Sequence, residues 1–248
     1  MIPMTITQYL INNKKIKFDY VIMDEASQIK PAKAVGAILR AKKAIIVGDP
    51  KQLPPTSFFE SKKGESEEKS DSILDIASSI FTKTRLKWHY RSRHESLIEF
   101  SNKFIYGNEL VVFPSSSLYT SDDYLKKGIE YIKVPNGYYT SNERVNKNEA
   151  KNIATYVRNF MLKYKHKSIG VVAMNEAQME EINKQIETLK SDDEKFLKAC
   201  TINEKEKPFE PFFVKNLENV QGDERDVMVI SLTYGKEKET QVVAQRFG

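Results

Sequence analysis

The strongest constraint on the fold is a strand–helix–strand pattern near the start of the chain. Residues Phe18 to Met23 are apolar and rich in β-branched side chains, which predicts a short strand. Residues Pro31 to Arg40 show helical apolar spacing with proline in the first turn, and Ala44 to Val47 predicts a second buried strand. Such a unit forms a parallel pair with a right-handed crossover. We expect helices on both faces of these apolar strands.

The same alternation of strands and helices returns in the second half of the chain. The predicted elements are a strand at Ile129 to Val134, a helix at Asn148 to Tyr164, a strand at Ser168 to Met174, a helix capped by Asn175, and strands at Phe212 to Leu217 and Asp226 to Thr233. Residues 61–72 contain no apolar side chain, which predicts a linker or insertion, and the polar residues 190–207 predict a surface excursion. The pattern therefore predicts an α/β fold class with two units in tandem.

The composition is typical of a globular protein. The 248 residues are 40% hydrophobic and 29% charged, which is enough for one large domain or two small ones. No apolar run reaches the roughly 18 to 20 residues that a membrane span needs, so we expect no membrane partner. The one cysteine, Cys200, excludes an internal disulfide and suits a reducing compartment, which predicts a cytoplasmic protein.

The formal net charge of +5 is compatible with two interpretations. Lysine and arginine side chains contact phosphates, so the charge permits nucleic-acid binding. Lysines such as Lys62 and Lys63 also keep a protein surface soluble, and the charge alone favours that interpretation. The function has to be inferred from motifs instead.

Two adjacent acids, Asp24 and Glu25, directly follow the first predicted strand. Ligands bind beyond the carboxyl ends of parallel strands, and two neighbouring acids are costly there without a cation or a reacting water. In phosphoryl transfer the first acid helps to hold Mg²⁺, and the second orients or deprotonates the attacking water. Taken alone, however, an Asp-Glu pair after a strand is more often a pair of exposed side chains without a chemical role.

The second predicted strand also ends in a polar loop, which runs from Gly48 to Thr56. Gly48 permits a close backbone approach, Asp49 and Pro50 make a fixed turn, and Gln52 carries both a donor and an acceptor. A neutral amide near a terminal phosphate can respond to its presence or loss. A proline-rich surface turn is the alternative, but it does not explain why this loop follows the Asp-Glu strand by one crossover.

These two loops resemble motifs of a known family. Asp24 to Ser27 and Gly48 to Thr56 are similar to motifs II and III of the superfamily-one helicases, in the branch that contains the RNA-surveillance helicases and moves 5′ to 3′. Trp88 to His94 resembles motif IV, Val220 to Glu224 resembles motif V, and Pro3 to Ile6 resembles the short motif that precedes the first. The resemblance implies RecA-like P-loop NTPase domains, with parallel sheets between helices.

The resemblance also implies ATP and Mg²⁺ as cofactors and single-stranded DNA or RNA as the partner. Asp24 would bind Mg²⁺ through water, Glu25 would be the catalytic base, and Gln52 and Arg91 would contact the γ-phosphate. Further nucleotide contacts are implied for Gly48, Asp49, Gln221, Gly222 and Glu224, and contacts with the nucleic-acid strand for Thr5, Pro55 and Thr56.

The chain departs from the family at three positions. His89 and His94 stand where motif IV usually has glutamine and proline, and Asp223 stands where motif V is often basic. Arg91 itself is kept.

No Gly-x-x-x-x-Gly-Lys-Ser/Thr sequence, the loop that binds phosphates, occurs anywhere in the chain. The resemblance implies a final arginine motif beyond Gly248. We therefore expect residues 1–58 to be the C-terminal part of a first RecA-like domain, 59–84 a linker and entry helix, and 85–248 most of a second domain. Two strands leave an unpaired sheet edge, which we expect to pack on the second domain or to pair with another molecule. The expected protein partners are the missing helicase segments or a second copy bound through the incomplete first domain.

Two hypotheses of different classes follow. In the first, the chain is a fragment of an ATP-driven helicase or translocase and is almost inactive by itself. In the second, it is a truncated, non-hydrolysing module that binds nucleic acid or a protein partner. A phosphate-binding loop encoded upstream of Met1 would favour the first, whereas a true start and stop codon would favour the second. The motifs do not distinguish DNA from RNA.

Overall fold

The computed structural model describes residues 17–52, 72–92, 94–114 and 128–240. The chain divides into two compact units, Met1–Pro114 and Ser115–Gly248, and each is described by itself. This division places the motif IV segment in the first unit. The boundaries predicted near residues 58 and 85 refer to the RecA-like domains of the helicase family. The division into compact units does not test those boundaries, so they stay a prediction.

The first unit contains two parallel strand pairs, each with a helix between its strands. Its elements are β1 (Phe18–Met23), a 3₁₀ turn (Ala26–Gln28), α1 (Pro31–Ile38), β2 (Ala41–Ile46), α2 (Ile73–Ile80), β3 (Trp88–His89), α3 (Ser96–Phe104) and β4 (Val111–Val112). In the first pair Tyr20 lies opposite Lys43 and Met23 lies opposite Ile46. The parallel strand–helix–strand unit predicted from the sequence is therefore confirmed.

The helices of the first unit pack on one face of the β1–β2 sheet. Met23, Ala34, Ile73 and Leu74 form a buried cluster there. The expectation of helices on both faces is not met among the described residues. The reason is that α1 and α2 both pack on the face that carries Met23. The prediction of a buried second strand is also wrong, because the residues of β2 are half-buried or exposed.

The second face of the β1–β2 sheet is exposed and carries apolar side chains together with Lys43, whose Nζ lies 5.5 Å from the centroid of the Tyr20 ring. Its side chains Tyr20, Ile22 and Ile45 are 55%, 67% and 45% exposed. Large contiguous apolar patches on a protein surface indicate a missing partner or neighbouring segment. One face of the sheet is therefore covered by helices, and the other is exposed.

The second unit is a three-stranded parallel sheet with helices packed against it. Its elements are α4 (Lys147–Lys163), β5 (Ile169–Ala173), α5 (Glu176–Asp192), α6 (Glu194–Glu206), β6 (Phe213–Asn216), a 3₁₀ turn (Leu217–Asn219) and β7 (Val227–Ser231), with strand order β6–β5–β7. Asn146 and Asn175 cap α4 and α5 by accepting the N–H groups of Glu149 and Gln178. None of the helices in the described ranges combines the length and apolar composition of a membrane span.

The core of the second unit lies between β5 and the three helices. Ile169 and Val171 point from β5 into a cluster that also contains Phe160 of α4 and Phe196 of α6, all fully buried. Full burial of one such side chain stabilises the fold by about 1.5–3 kcal/mol. On the opposite face, a Cβ atom on Gly170 would lie 2.6 Å from the ring of Phe213. A side chain at residue 170 would therefore displace the Phe213 ring from its present position.

Two predicted elements of the second unit are wrong. Residues 129–134 form no strand, and Ile129 and Tyr131 are exposed, because alternating apolar residues need a partner strand and none of the described residues supplies one. Residues 190–207 are not a surface excursion, since most of them belong to α6. Phe196, Cys200 and Asn203 of α6 are buried at helical spacing, a pattern that the surrounding lysines and glutamates hide.

A carboxylate joins the beginnings of β5 and β7. Asp226 accepts hydrogen bonds from the Ser168 N–H (2.9 Å) and Oγ (3.2 Å), and lies 3.4 Å from Lys167 Nζ. Burial alone would raise the pKa of Asp226. The hydrogen bonds from Ser168 and the charge of Lys167 outweigh that effect and hold the pKa below its usual value.

We predict that Asp226→Asn destabilises the protein in a pH-dependent way. The pKa of this carboxyl is lower in the folded state than its unfolded value of about 3.9. Its contribution is therefore fully present above that pH and is lost as the pH falls through the folded pKa. Urea unfolding should show a loss of about 1–3 kcal/mol at pH 7, which shrinks in the acid range. Glu180→Gln, an exposed change on α5, is the control, and a loss that is equal at every pH contradicts the prediction.

Candidate functional site

The first predicted catalytic loop begins where β1 ends. Asp24 and Glu25 are both exposed, and the Glu25 N–H donates to Oδ1 of Asp24 at 2.9 Å. Glu25 has φ 51° and ψ 39°, in the left-handed region. A residue other than glycine is held there only when its surroundings fix the backbone, and such residues concentrate at functional sites. The 3₁₀ turn supplies part of that support, because the Gln28 N–H bonds to the Glu25 carbonyl at 2.9 Å.

Two backbone hydrogen bonds join this loop to the loop that follows β2. The Val47 N–H donates to the Met23 carbonyl at 2.8 Å, and the Ala26 N–H donates to the Val47 carbonyl at 2.9 Å. Parallel pairing thus continues beyond the strands themselves. The structure brings the Asp-Glu pair beside the Gly48 loop, as ligand-binding loops at the carboxyl ends of parallel strands require.

The close approach of the two loops depends on Gly48. A Cβ atom at this position would lie 3.0 Å from the Ser27 backbone nitrogen and 3.0 Å from Cδ2 of Leu74. Leu74 belongs to α2, whose first N–H, on Ile73, donates to the Ile29 carbonyl at 2.8 Å. Helix α2 therefore contacts both loops, and an added Cβ atom at residue 48 would force Ser27 or Leu74 to move by a few tenths of an ångström.

Asp49 is the acceptor around which the second loop turns. Its Oδ1 accepts the Lys51 N–H at 2.9 Å, and its carbonyl accepts the Gln52 N–H at 3.2 Å. Its Oδ2 accepts the hydroxyl of Tyr106 at 2.5 Å. The Asp49 carboxylate thus has partners within the protein, and its contact with a nucleotide stays a prediction.

Arg91 is exposed on a turn that follows β3. The ring of His89 holds this turn, because its Nε2 accepts the Ser92 N–H at 3.2 Å and lies 2.7 Å from Ser92 Oγ. His94 does the same at the start of α3, where its Nδ1 accepts the Ser96 N–H at 3.2 Å. The two histidines that depart from the family pattern therefore shape the backbone on either side of Arg91.

The motif V residues lie in the second unit, in the loop before β7. Gln221 and Glu224 are exposed, and Gly222 has φ 84°, which favours glycine. The acidic residue of this loop, Asp223, accepts a hydrogen bond from Lys215 of β6 at 2.5 Å. The unusual charge at residue 223 is thus neutralised within the chain.

Arg225 fixes the end of the same loop. Its Nη2 and Nε donate to the Pro211 carbonyl at 2.8 and 3.1 Å, and its guanidinium lies 4.6 Å from the centroid of the Phe213 ring. Lys215 Nζ lies 4.9 Å from that centroid. Cation–π contacts of this kind contribute about 0.5–1 kcal/mol each at exposed sites. Asp223 and Arg225 therefore both hold the loop against β6 and the residues just before it.

The structure therefore brings together five of the predicted site residues, which lie on the adjoining loops after β1 and β2: Asp24, Glu25, Gly48, Asp49 and Gln52. Arg91 lies in the same unit, whereas Gln221, Gly222 and Glu224 lie in the other. That these residues contact the same nucleotide as Glu25 stays a prediction. Thr5, Pro55 and Thr56 lie outside the described residues.

Sequence reasoning missed two polar residues near the strand ends. Tyr106 gave no local signal, because its partner Asp49 is 57 residues away. Gln178 is fully buried in the second unit, where its Oε1 accepts the Asn146 N–H at 2.7 Å and its Nε2 donates to Ser231 Oγ at 3.2 Å. A signal for Gln178 existed, since it shares the helical stripe of Ile182 and Ile186 and is the one polar member of that set.

A magnesium ion at the end of β1 would need most of its ligands from a nucleotide and from water. Among the described residues, no three His, Cys, Asp or Glu side chains form a group that could hold a metal ion. Mg²⁺ in nucleotide sites is usually held by one or two carboxylates together with phosphates and waters. The exposed Asp24 carboxylate at the end of β1 suits that arrangement.

Comparisons with known proteins show the family to which the chain belongs. A sequence profile described as "AAA domain" matches residues 70–245, and a second profile with the same description matches residues 5–60. The chain is 34% identical over 243 residues to an uncharacterized ATP-dependent helicase of Mycoplasma genitalium, covering 92% of this chain and 21% of that protein. It is 26% identical over 242 residues to the regulator of nonsense transcripts 1 homolog of Neurospora crassa, covering 91% and 20%.

A further relative is the DNA replication ATP-dependent helicase/nuclease dna2 of Schizosaccharomyces pombe, which is 26% identical over 268 residues. The chain spans about a fifth of the length of the curated relatives it matches. The fold and the profiles define an α/β protein of the P-loop NTPase class. Within that class, the chain belongs to the superfamily-one helicases.

We predict that Gly48→Ala destabilises the first unit by about 1–3 kcal/mol, because the added methyl group must displace backbone or Leu74. Urea unfolding measures the loss. Gly36→Ala is the matched control in the same unit: its Cβ would approach only Arg40 Nη1, at 3.9 Å, and an alanine within α1 should stabilise by up to about 1 kcal/mol. Equal stability of Gly48→Ala and the wild type would contradict the close approach of the two loops.

Proposed function

We propose that this chain carries the hydrolysing and phosphate-sensing part of an ATP-dependent helicase or translocase that moves along single-stranded DNA or RNA. The observation that supports it most is the pair of hydrogen bonds between the loops after β1 and β2. They set the acids of one loop beside the turn that carries Gln52, which is the arrangement that hydrolysis and sensing of a terminal phosphate require.

In this proposal each loop after β1 and β2 has a separate chemical role. Asp24 would hold Mg²⁺ through water, and the ion when bound offsets the charge on the phosphates. The Glu25 carboxylate would accept the proton of the attacking water. Gln52 would contact the γ-phosphate through an amide that both donates and accepts, while Gly48 and Asp49 shape the turn that presents it.

The remaining nucleotide contacts are proposed for exposed residues of both units. Arg91 would stabilise the negative charge that develops on the transferred phosphoryl group. Gln221, Gly222 and Glu224 would meet the ribose or the terminal phosphate. The left-handed Gly222 has no atom within 4 Å of where a Cβ would stand, so the loop is open on that side.

Single-stranded nucleic acid is the proposed substrate, with movement 5′ to 3′ and backbone contacts from Thr5, Pro55 and Thr56. The net charge of +5 permits binding to phosphates. The relatives' names mention both DNA replication and nonsense transcripts. We therefore propose a single-stranded substrate without choosing between DNA and RNA.

Cys200 is free and buried, which suits the cytoplasm as the proposed location.

We also propose that the phosphate-binding loop comes from outside these 248 residues, which do not contain its sequence. The open face of the β1–β2 sheet, with Tyr20, Ile22 and Ile45, supports this, because it offers a place for further segments of a first motor domain or for a second molecule. Residues 1–248 by themselves should hydrolyse ATP at a negligible rate.

We predict that Glu25→Gln lowers nucleic-acid-stimulated ATP hydrolysis about 10²–10⁴-fold, because the amide cannot accept the proton of the attacking water. The assay uses the polypeptide as its gene encodes it. Binding of ATP and of single-stranded nucleic acid should change little, since the substitution keeps the shape of the side chain.

Asp19→Asn is the control for this substitution. Asp19 is an exposed carboxylate at the opposite end of β1, paired with Lys42 at 2.8 Å, and its replacement should leave hydrolysis within about twofold. Activity that survives Glu25→Gln would remove Glu25 as the base. A wild-type protein that binds nucleic acid without hydrolysing ATP would favour a non-hydrolysing binding module instead.

A further inference from the structure

The turn that carries Tyr106 is braced on several sides. The N–H groups of Ile105 and Tyr106 both donate to the Ser101 carbonyl, at 2.9 and 3.0 Å, and close the end of α3. Gly107 and Asn108 follow in the left-handed region, with φ 64° and 59°. This combination ends a helix sharply and fixes the direction of the chain that leaves it.

Side chains on the far side of this turn hold it in place. Asn102 binds Leu110 twice, since its Nδ2 donates to the Leu110 carbonyl at 3.1 Å and its Oδ1 accepts the Leu110 N–H at 3.0 Å. Arg85 pairs with Glu109 at 2.6 Å. The phenol of Tyr106 is therefore presented by a turn that is fixed to α3 and moves together with it.

The partner of Tyr106 is the acceptor that organises the Gln52 turn. The hydroxyl donates to Asp49 Oδ2 at 2.5 Å, while Oδ1 of the same carboxylate and its carbonyl hold the N–H groups of Lys51 and Gln52. Both tyrosine and aspartate are half-buried. A hydrogen bond to a charged acceptor is roughly twice as strong as one between neutral groups.

The protonation states favour this bond throughout the working pH range. Burial, and then the hydrogen bond and charge of Asp49, raise the pKa of Tyr106 to about 12. The phenol therefore remains a donor at any pH used in an assay.

We propose that Tyr106 is a positioning residue that couples the Gln52 turn to α3 and, through α3, to the segment that carries Arg91. The inference rests on the proposed function of Gln52 and Arg91. When Gln52 shifts with the gain or loss of a phosphate, Asp49 shifts with it, and the rigid Tyr106 turn transmits that movement to α3. Tyr106 acts only through Asp49, and touches no reacting atom in this scheme.

The first test measures the contact itself and needs no catalytic activity. Amide hydrogen exchange of residues 48–52 is compared in the wild type, Tyr106→Phe and Tyr20→Phe. Removing the Tyr106 hydroxyl should speed exchange of the Lys51 and Gln52 amides about tenfold, because the carboxylate that holds the turn loses its anchor. Tyr20→Phe removes a hydroxyl from the open sheet face of the same unit and should have no effect. Unchanged exchange in Tyr106→Phe would overturn the proposal.

The second test separates coupling from mere support. In the polypeptide as its gene encodes it, Tyr106→Phe should lower the nucleic-acid-stimulated kcat about tenfold, equivalent to about 1.4 kcal/mol of transition-state stabilisation. The KM for ATP and hydrolysis without nucleic acid should stay within about threefold. A merely structural role would lower both rates equally, and that result would overturn the proposal.

A double-mutant cycle with Asp49→Asn assigns the effect to this one hydrogen bond. The neutral amide is a weaker acceptor, so Tyr106→Phe should cost clearly less in the Asp49→Asn background than in the wild type. Additive losses would overturn the proposal. A different outcome is possible if the wild-type protein hydrolyses no ATP while Tyr106→Phe still speeds amide exchange. That result would refute the proposed function, and with it the coupling role of Tyr106. The hydrogen bond would then only stabilise the Gln52 turn.

Discussion

The structure of the first unit depends on continued backbone pairing beyond the ends of β1 and β2. The hydrogen bonds of Val47 to Met23 and of Ala26 to Val47 hold the two polar loops side by side, and Gly48 makes the approach possible because any side chain there would meet Ser27 and Leu74. Backbone hydrogen bonds fix position more firmly than flexible side chains do. Asp24, Glu25 and the Gln52 turn therefore lie at one edge of the sheet, and Glu25 has a left-handed backbone conformation there.

Local signals in the sequence were sufficient for most elements of the fold. The apolar spacing of α4 and α5, their asparagine caps and the β-branched strands act over a few residues, so they can be recognised without the tertiary structure. The failures involve distant partners. Residues 129–134 have strand-like alternation without a described partner strand, and α6 hides Phe196 and Cys200 among charged residues. The exposure of one face of the first sheet could not be predicted either, because the burial of a face depends on which other segments pack on it.

The sequence predicts a chemistry for the site, whereas the contacts that support the site could not be predicted. Asp24, Glu25 and Gln52 follow from strand ends and from the resemblance to helicase motifs. The contacts that hold them do not, since Tyr106 is 57 residues from Asp49 and Lys215 belongs to a different strand from Asp223. The acidic residue 223 and the histidines beside Arg91 are departures from the family pattern, and each has a local partner that accounts for it.

We expect the loops after β1 and β2 to surround the reacting phosphate. The most direct measurement is a crystal structure of the polypeptide as its gene encodes it, bound to ADP, Mg²⁺ and aluminium fluoride as a transition-state analogue. We expect a water at about 2.6–3.2 Å from the Glu25 carboxylate, in line with the fluoride group, and the Gln52 amide in contact with that group. An analogue bound away from the ends of β1 and β2, or a Glu25 that faces no water, would contradict the account.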